Sequence, residues 1–97
     1  MSDAASPECL VREFVIVNQR GLHARASAKF VQVASGFEAT VGVEKDGMKV
    51  GGTSIMGLMM LAASPGCAIR VSACGPEAQE VLAALDALVA FRFGEEC

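Results

Sequence analysis

Four stretches of alternating hydrophobicity, interleaved with three of helical period, predict an α+β fold whose antiparallel sheet carries its helices on one face. The order along the chain is strand, helix, strand, strand, short helix, strand, helix. Alternation within the strands supports this, because a sheet with one packed and one solvated face reads apolar-in, polar-out. Turn-forming residues give the third observation. Asn18-Gln19-Arg20-Gly21, Asp46-Gly47, Ser64-Pro65-Gly66 and Gly75-Pro76 all fall between the periodic segments.

Residues 1–10 read as a polar, flexible lead-in to a single domain over residues 11–97. The first strand is expected over 11–18, where Phe14 and Ile16 alternate with Glu13 and Val15. A helix follows over 24–35: Ala24, Ala28, Val31 and Ala34 recur at helical spacing, and Gly36 is a good C-terminal stop. Ala39, Val41 and Val43 share one face of a strand over 37–45, and Asp46-Gly47 turns it back into a partner over 48–51. Thr53 or Ser54 can cap a short helix over 55–61. Ile69, Val71 and Ala73 then alternate with Arg70 and Ser72 over 68–74. Gly75-Pro76-Glu77 breaks the chain, with Pro76 expected in the first turn of the last helix and Glu77 as an acid at its N-terminus. Ala78, Val81, Leu82, Leu85, Leu88 and Val89 form that helix's apolar stripe, which Gly94 closes.

Composition narrows the function classes. A chain of 97 residues, 53% apolar, has enough apolar side chains for one small core. With five Phe and no Trp or Tyr, that core must rely on aliphatic residues. A net charge of −3 argues against nucleic-acid binding, which needs clustered Lys and Arg. No apolar run is long enough to cross a bilayer, and the first nine residues lack a signal peptide's basic start and apolar run. A cytoplasmic protein that does not engage membranes is the expectation. Cysteines stand at 9, 67, 74 and 97, at spacings that match neither a redox pair nor a zinc clip. Cys9 and Cys97 are expected at frayed ends and all four in structural roles. With one His in the chain, neither a metal nor a cofactor is expected.

The chemistry concentrates in Arg20-Gly21-Leu22-His23-Ala24-Arg25-Ala26-Ser27. His23 follows a glycine break and precedes a helical run, which puts it at or beside the N-cap. The first N–H groups of a helix lack intrahelical partners, and the aligned peptide dipoles make that end positive. An anion at His23 would meet the backbone amides of Ala24, Arg25 and Ala26. The same positive end disfavours imidazole protonation and keeps a lone pair available for attack. Arg25 is near enough to bring its guanidinium onto phosphoryl oxygens. Phosphoryl transfer asks little more of a protein than an in-line nucleophile and charge stabilisation. A histidine in this place also serves elsewhere as a plain cap, so position alone leaves both roles open.

Two motifs favour the reactive role. Gly21-Leu22-His23-Ala24-Arg25, followed by Ala28-Lys29-Phe30-Val31, is one; Ser54-Ile55-Met56-Gly57-Leu58-Met59, followed by Pro65-Gly66, is the other. With these the chain resembles the histidine-containing phosphocarrier family, HPr, of the phosphoenolpyruvate-dependent phosphotransferase system, from Val11 to about Gly94. The resemblance implies an open-faced β-sandwich of four antiparallel strands and three helices. It also implies that His23 is phosphorylated on Nδ1 by enzyme I, with Arg25 as the active-site arginine. An enzyme IIA-type domain would be the acceptor, in a sugar-transport or a nitrogen-regulation branch. Ser54 matches a serine that a dedicated kinase phosphorylates in some members. The family pattern has Pro where this chain has Ala26; the relaxed pattern leans toward a regulatory or nitrogen-branch member. A non-catalytic scaffold of the same fold is the alternative.

The short helix cannot bury Ile55, Met56 and Met59 together, and Met suits a reusable interface. Leu22, Ile55, Met56 and Met59 are therefore the candidate partner-binding residues. Arg20, Arg25, Lys29 and Lys49 are expected to rim the site and favour acidic partners. Ser54 can cap the short helix and still accept a phosphate, whose charge would oppose docking on the neighbouring apolar residues. A monomer suits a carrier that presents one site to successive partners.

Overall fold

The computed structural model describes residues 9–95, so residues 1–8 of the expected lead-in, and Cys97, lie outside the described part. Its elements are β1 (Cys9–Val15), α1 (Ala24–Ala34), β2 (Thr40–Lys45), β3 (Met48–Gly51), α2 (Ile55–Met60), β4 (Ala68–Cys74) and α3 (Ala78–Ala90), followed by a 3₁₀ turn at Arg92–Gly94. The strands form one antiparallel sheet in the order β1-β4-β2-β3. β4, last in sequence, thus sits in the middle, where Val71 faces Arg12 on one side and Val43 on the other. Asp46 and Gly47, both at positive φ, join β2 to β3.

Period-2 alternation becomes one packed face. Phe14, Val41, Val43, Ile69, Val71 and Ala73 point into a single core, which the helices cover with Phe30, Leu58, Val81, Leu82, Leu85 and Val89, joined by Leu61 at the C-cap of α2. Glu13, Thr40, Ala68 and Arg70 lie on the exposed side. This is the open-faced α+β sandwich, with three helices over four strands. Among the described residues no helix is long and apolar enough to cross a membrane.

Several local expectations need correction. β1 spans Cys9–Val15 rather than 11–18, because its N-terminal end pairs with β4 as far as Cys74. Cys9 is therefore not frayed: it lies opposite Cys74 and forms a disulfide with it, while Cys67 stays a free thiol. α1 buries Ala26, Ser27, Phe30 and Ala34, and leaves Ala24 and Ala28 exposed. Phe30 carries far more apolar area than any alanine and sets which side faces the core. Pro76 lies ahead of the N-cap of α3 rather than in its first turn, and Glu77 is the N-cap residue without a side-chain capping bond. Its carboxylate instead accepts the Glu38 N–H at 2.7 Å, tying α3 to the chain leading into β2. The last helix stops at Ala90, not Gly94; the residues beyond it turn back, with consequences for the site.

Candidate functional site

The turn between β1 and α1 is held from inside. Asn18 is fully buried and donates through Nδ2 to the Gly21 carbonyl at 2.9 Å. Gly21 has φ of 61°, and a Cβ there would run into the Ala63 carbonyl, so this position admits glycine alone. The next N–H, of Leu22, donates to that same Ala63 oxygen at 3.0 Å, and the Ser27 hydroxyl donates to the Leu22 carbonyl at 3.2 Å. With both flanks fixed, the backbone at His23 is extended (φ −75°, ψ −177°), and His23 is the N-cap of α1.

The imidazole itself is the capping group. Its Nδ1 accepts the backbone N–H of Arg25 at 3.2 Å and therefore carries a lone pair, not a proton. On the other side, Nε2 lies 3.5 Å from Oε2 of Glu95. About a quarter of the His23 side chain (26%) remains exposed, so the ring is open to a partner. It borders a cavity of about 410 Å³ lined by Arg20, Arg25, Ala26, Lys29, Phe93 and Glu95, among others.

The expected rim forms only in part. Arg20 and Arg25 are exposed at the cavity. Lys29 lines it too, but its ammonium donates to the Phe93 carbonyl at 2.7 Å. Lys49 does not belong: it lines a separate depression on the open sheet face with Val11, Gly42, Glu44, Arg70 and Ser72. Leu22 is likewise misplaced as a partner-binding residue, since its side chain is buried in the core. Ala26, where the family pattern has Pro, is buried in the first turn of α1.

α2 packs against α1 and presents a continuous apolar set outward. Ile55 and Met59 are each 41% exposed and Met56 74%, and the unforeseen Met60 joins them at 66%. Leu58 alone in this helix is buried. Ser54 is its N-cap, with Oγ accepting the Gly57 N–H at 3.0 Å.

Glu95 is the site residue that sequence reasoning missed. Its Oε1 accepts the Gln19 N–H at 2.6 Å, and Oε2 lies 3.5 Å from the Asn18 amide nitrogen. Burial pushes this carboxyl up, but the hydrogen bonds from Gln19, Asn18 and Arg20, with a smaller electrostatic contribution from His23, outweigh it and hold it below the usual glutamate value. One signal was present: an acid directly after a glycine that ends a helical pattern. Nothing local says where such an acid lands.

Comparison with known proteins agrees with this geometry. Residues 10–90 match the family model described as PTS HPr component phosphorylation site. The phosphocarrier protein HPr of Cupriavidus necator is 49% identical over 86 residues, covering 89% of this chain and 97% of the relative. That of Neisseria meningitidis serogroup A is 48% identical over the same coverage. The crystal structure of HPr-C-His from Thermoanaerobacter tengcongensis superposes with a TM-score of 0.86 at 44% identity, covering 91% of this chain and 99% of the other. With fold, element order and nearly the whole length in common, the chain belongs to the HPr family, the phosphocarriers of the phosphotransferase system.

Proposed function

We propose that His23 is the residue that carries the phosphoryl group, receiving it on Nδ1 from phosphorylated enzyme I and passing it to an enzyme IIA-type acceptor. The observation behind this reading is a partly exposed imidazole at a helix N-cap, with Nδ1 turned toward the helix amides and the cavity rimmed by Arg20 and Arg25. As phosphorus bonds to Nδ1, the Arg25 N–H that now meets the lone pair is freed for a phosphoryl oxygen. The amides of Ala24 and Ala26 lie in the same first turn, whose N–H groups have no acceptor within the helix. The Arg25 guanidinium neutralises the dianion during transfer, and the reverse step needs the same groups.

Ile55, Met56 and Met59, extended by Met60, form the docking surface for donor and acceptor in turn. Ser54, at the edge of that surface, is the site of regulatory phosphorylation by a serine kinase. The protein acts as a cytoplasmic monomer. Incubation with phosphoenolpyruvate and enzyme I should produce an acid-labile, base-stable mass increase that is absent from His23→Ala. A stable phosphoprotein, or an increase that survives in His23→Ala, would overturn the assignment.

A further inference from the structure

We propose that Glu95 is a positioning residue for phosphoryl transfer: it holds His23 in the Nε2–H tautomer and so offers Nδ1 as the nucleophile. The inference rests on the reading of His23 given above. The fold delivers this carboxylate by a costly route. After α3, Arg92, Phe93 and Gly94 take φ of 59°, 55° and 74°. Left-handed backbone is unfavourable for residues with a Cβ, and consecutive examples persist only where the surroundings hold them.

The holders can be named. The Phe93 side chain is buried in the core, and its carbonyl accepts from Lys29 Nζ on α1. The Gly94 N–H donates to the Phe91 carbonyl at 3.1 Å, and the Glu95 N–H to the Arg92 carbonyl at 2.8 Å. The tail is thereby folded back onto the turn that carries His23. There the Gln19 N–H takes one carboxylate oxygen, and the other faces Asn18 and His23. With its side chain only 13% exposed, Glu95 meets little competition from water.

The two ring nitrogens are told apart by these partners. Nδ1 faces a donor and must accept; Nε2 faces a carboxylate and must donate. The 3.5 Å separation closes to a hydrogen bond with a small ring rotation, as such contacts do when a reaction complex forms. During transfer, the bond from phosphorus to Nδ1 forms as its bond to the donor breaks. Nε2 keeps its proton throughout, and the positive charge gained by the ring lies against Glu95. Arg20, Arg25 and Lys29 are the cations around the cavity, and Glu95 is the carboxylate among its described lining residues.

Imidazole ¹⁵N shifts report the tautomer in the unphosphorylated protein, and phosphorylation by phosphoenolpyruvate and enzyme I reports the rate. Glu95→Gln preserves the packing. With its oxygen serving the Gln19 N–H, its amide nitrogen turns a donor toward Nε2. Glu95→Ala removes the acceptor outright. Both should lower the Nε2–H population and slow phosphorylation of His23 by roughly ten- to a hundredfold, as loss of a partner orienting a histidine does. Thermal unfolding of each variant separates this from lost structure. An unchanged tautomer ratio in both variants, or a rate that falls only with the folded fraction, overturns the role of Glu95. A wild-type chain that forms no phosphohistidine overturns instead the reading of His23.

Discussion

The hydroxyl of Ser54 caps α2 through the Gly57 N–H and stands next to the exposed side chains of Ile55 and Met56. Negative charge suits a helix N-terminus but not an apolar docking surface. Ser54→Asp should therefore slow phosphorylation of His23 by enzyme I about tenfold, equivalent to about 1.4 kcal/mol of docking energy, with Tm nearly unchanged. A variant phosphorylated at the wild-type rate would remove Ser54 from regulation. Residues whose chemistry depends on near neighbours were legible in the sequence. His23 beside a glycine break and Ser54 before an apolar run both landed on N-caps. Leu22 and Glu95 were not legible, for opposite reasons. The exposure of Leu22 depends on the Ala63 carbonyl that pins its N–H, and the place of Glu95 depends on a contact with Gln19, 76 residues away in sequence.

β1 and β4 are joined covalently as well as by their ladder. The Cys9–Cys74 disulfide closes a loop of 65 residues, for which the chain-entropy model sets a limit of about 4 kcal/mol of added stability. Thermal unfolding with and without reductant should show the oxidised chain melting higher, and Cys9→Ser should behave like the reduced protein at either condition. Under reducing conditions such bonds are kept open, so the disulfide belongs to the oxidised protein. Equal melting temperatures with and without reductant would exclude it as a stabilising link. Strands were legible because alternation is local: Ile69, Val71 and Ala73 are buried as expected. The stripe read for α1 is shifted rather than lost: Ala34 is buried and Val31 packs against the core, but Ala24 and Ala28 are exposed, since a helix rich in alanine offers several weak stripes and one phenylalanine chooses among them. The disulfide was illegible because it depends on register between strands far apart in sequence.

Over the whole molecule, the fold class follows from element order, whereas the central place of β4 does not, because strand order is a property of packing. The tail bearing Glu95 links the end of the described chain to the turn at Gln19, which makes the link sensitive to acid. The Glu95 carboxyl titrates below its ordinary value, so its contribution to stability is complete above the unfolded-state value, roughly 4.3, and is lost as pH falls through the lower folded-state value. Tm measured against pH should thus fall more steeply on acidification for the wild type than for Glu95→Gln, the two curves converging at low pH. Parallel curves would show that the carboxylate contributes nothing to holding the tail.

The bridge between the first strand and the central one also changes how the polypeptide is connected. Once oxidised, residues 9 to 74 form a closed ring that contains both His23 and Ser54, with α3 and the tail hanging from it. Hydrolysis of the peptide bond at the exposed Asp46-Gly47 tip would open that ring without parting the molecule. The two fragments would migrate as one species until a thiol released them.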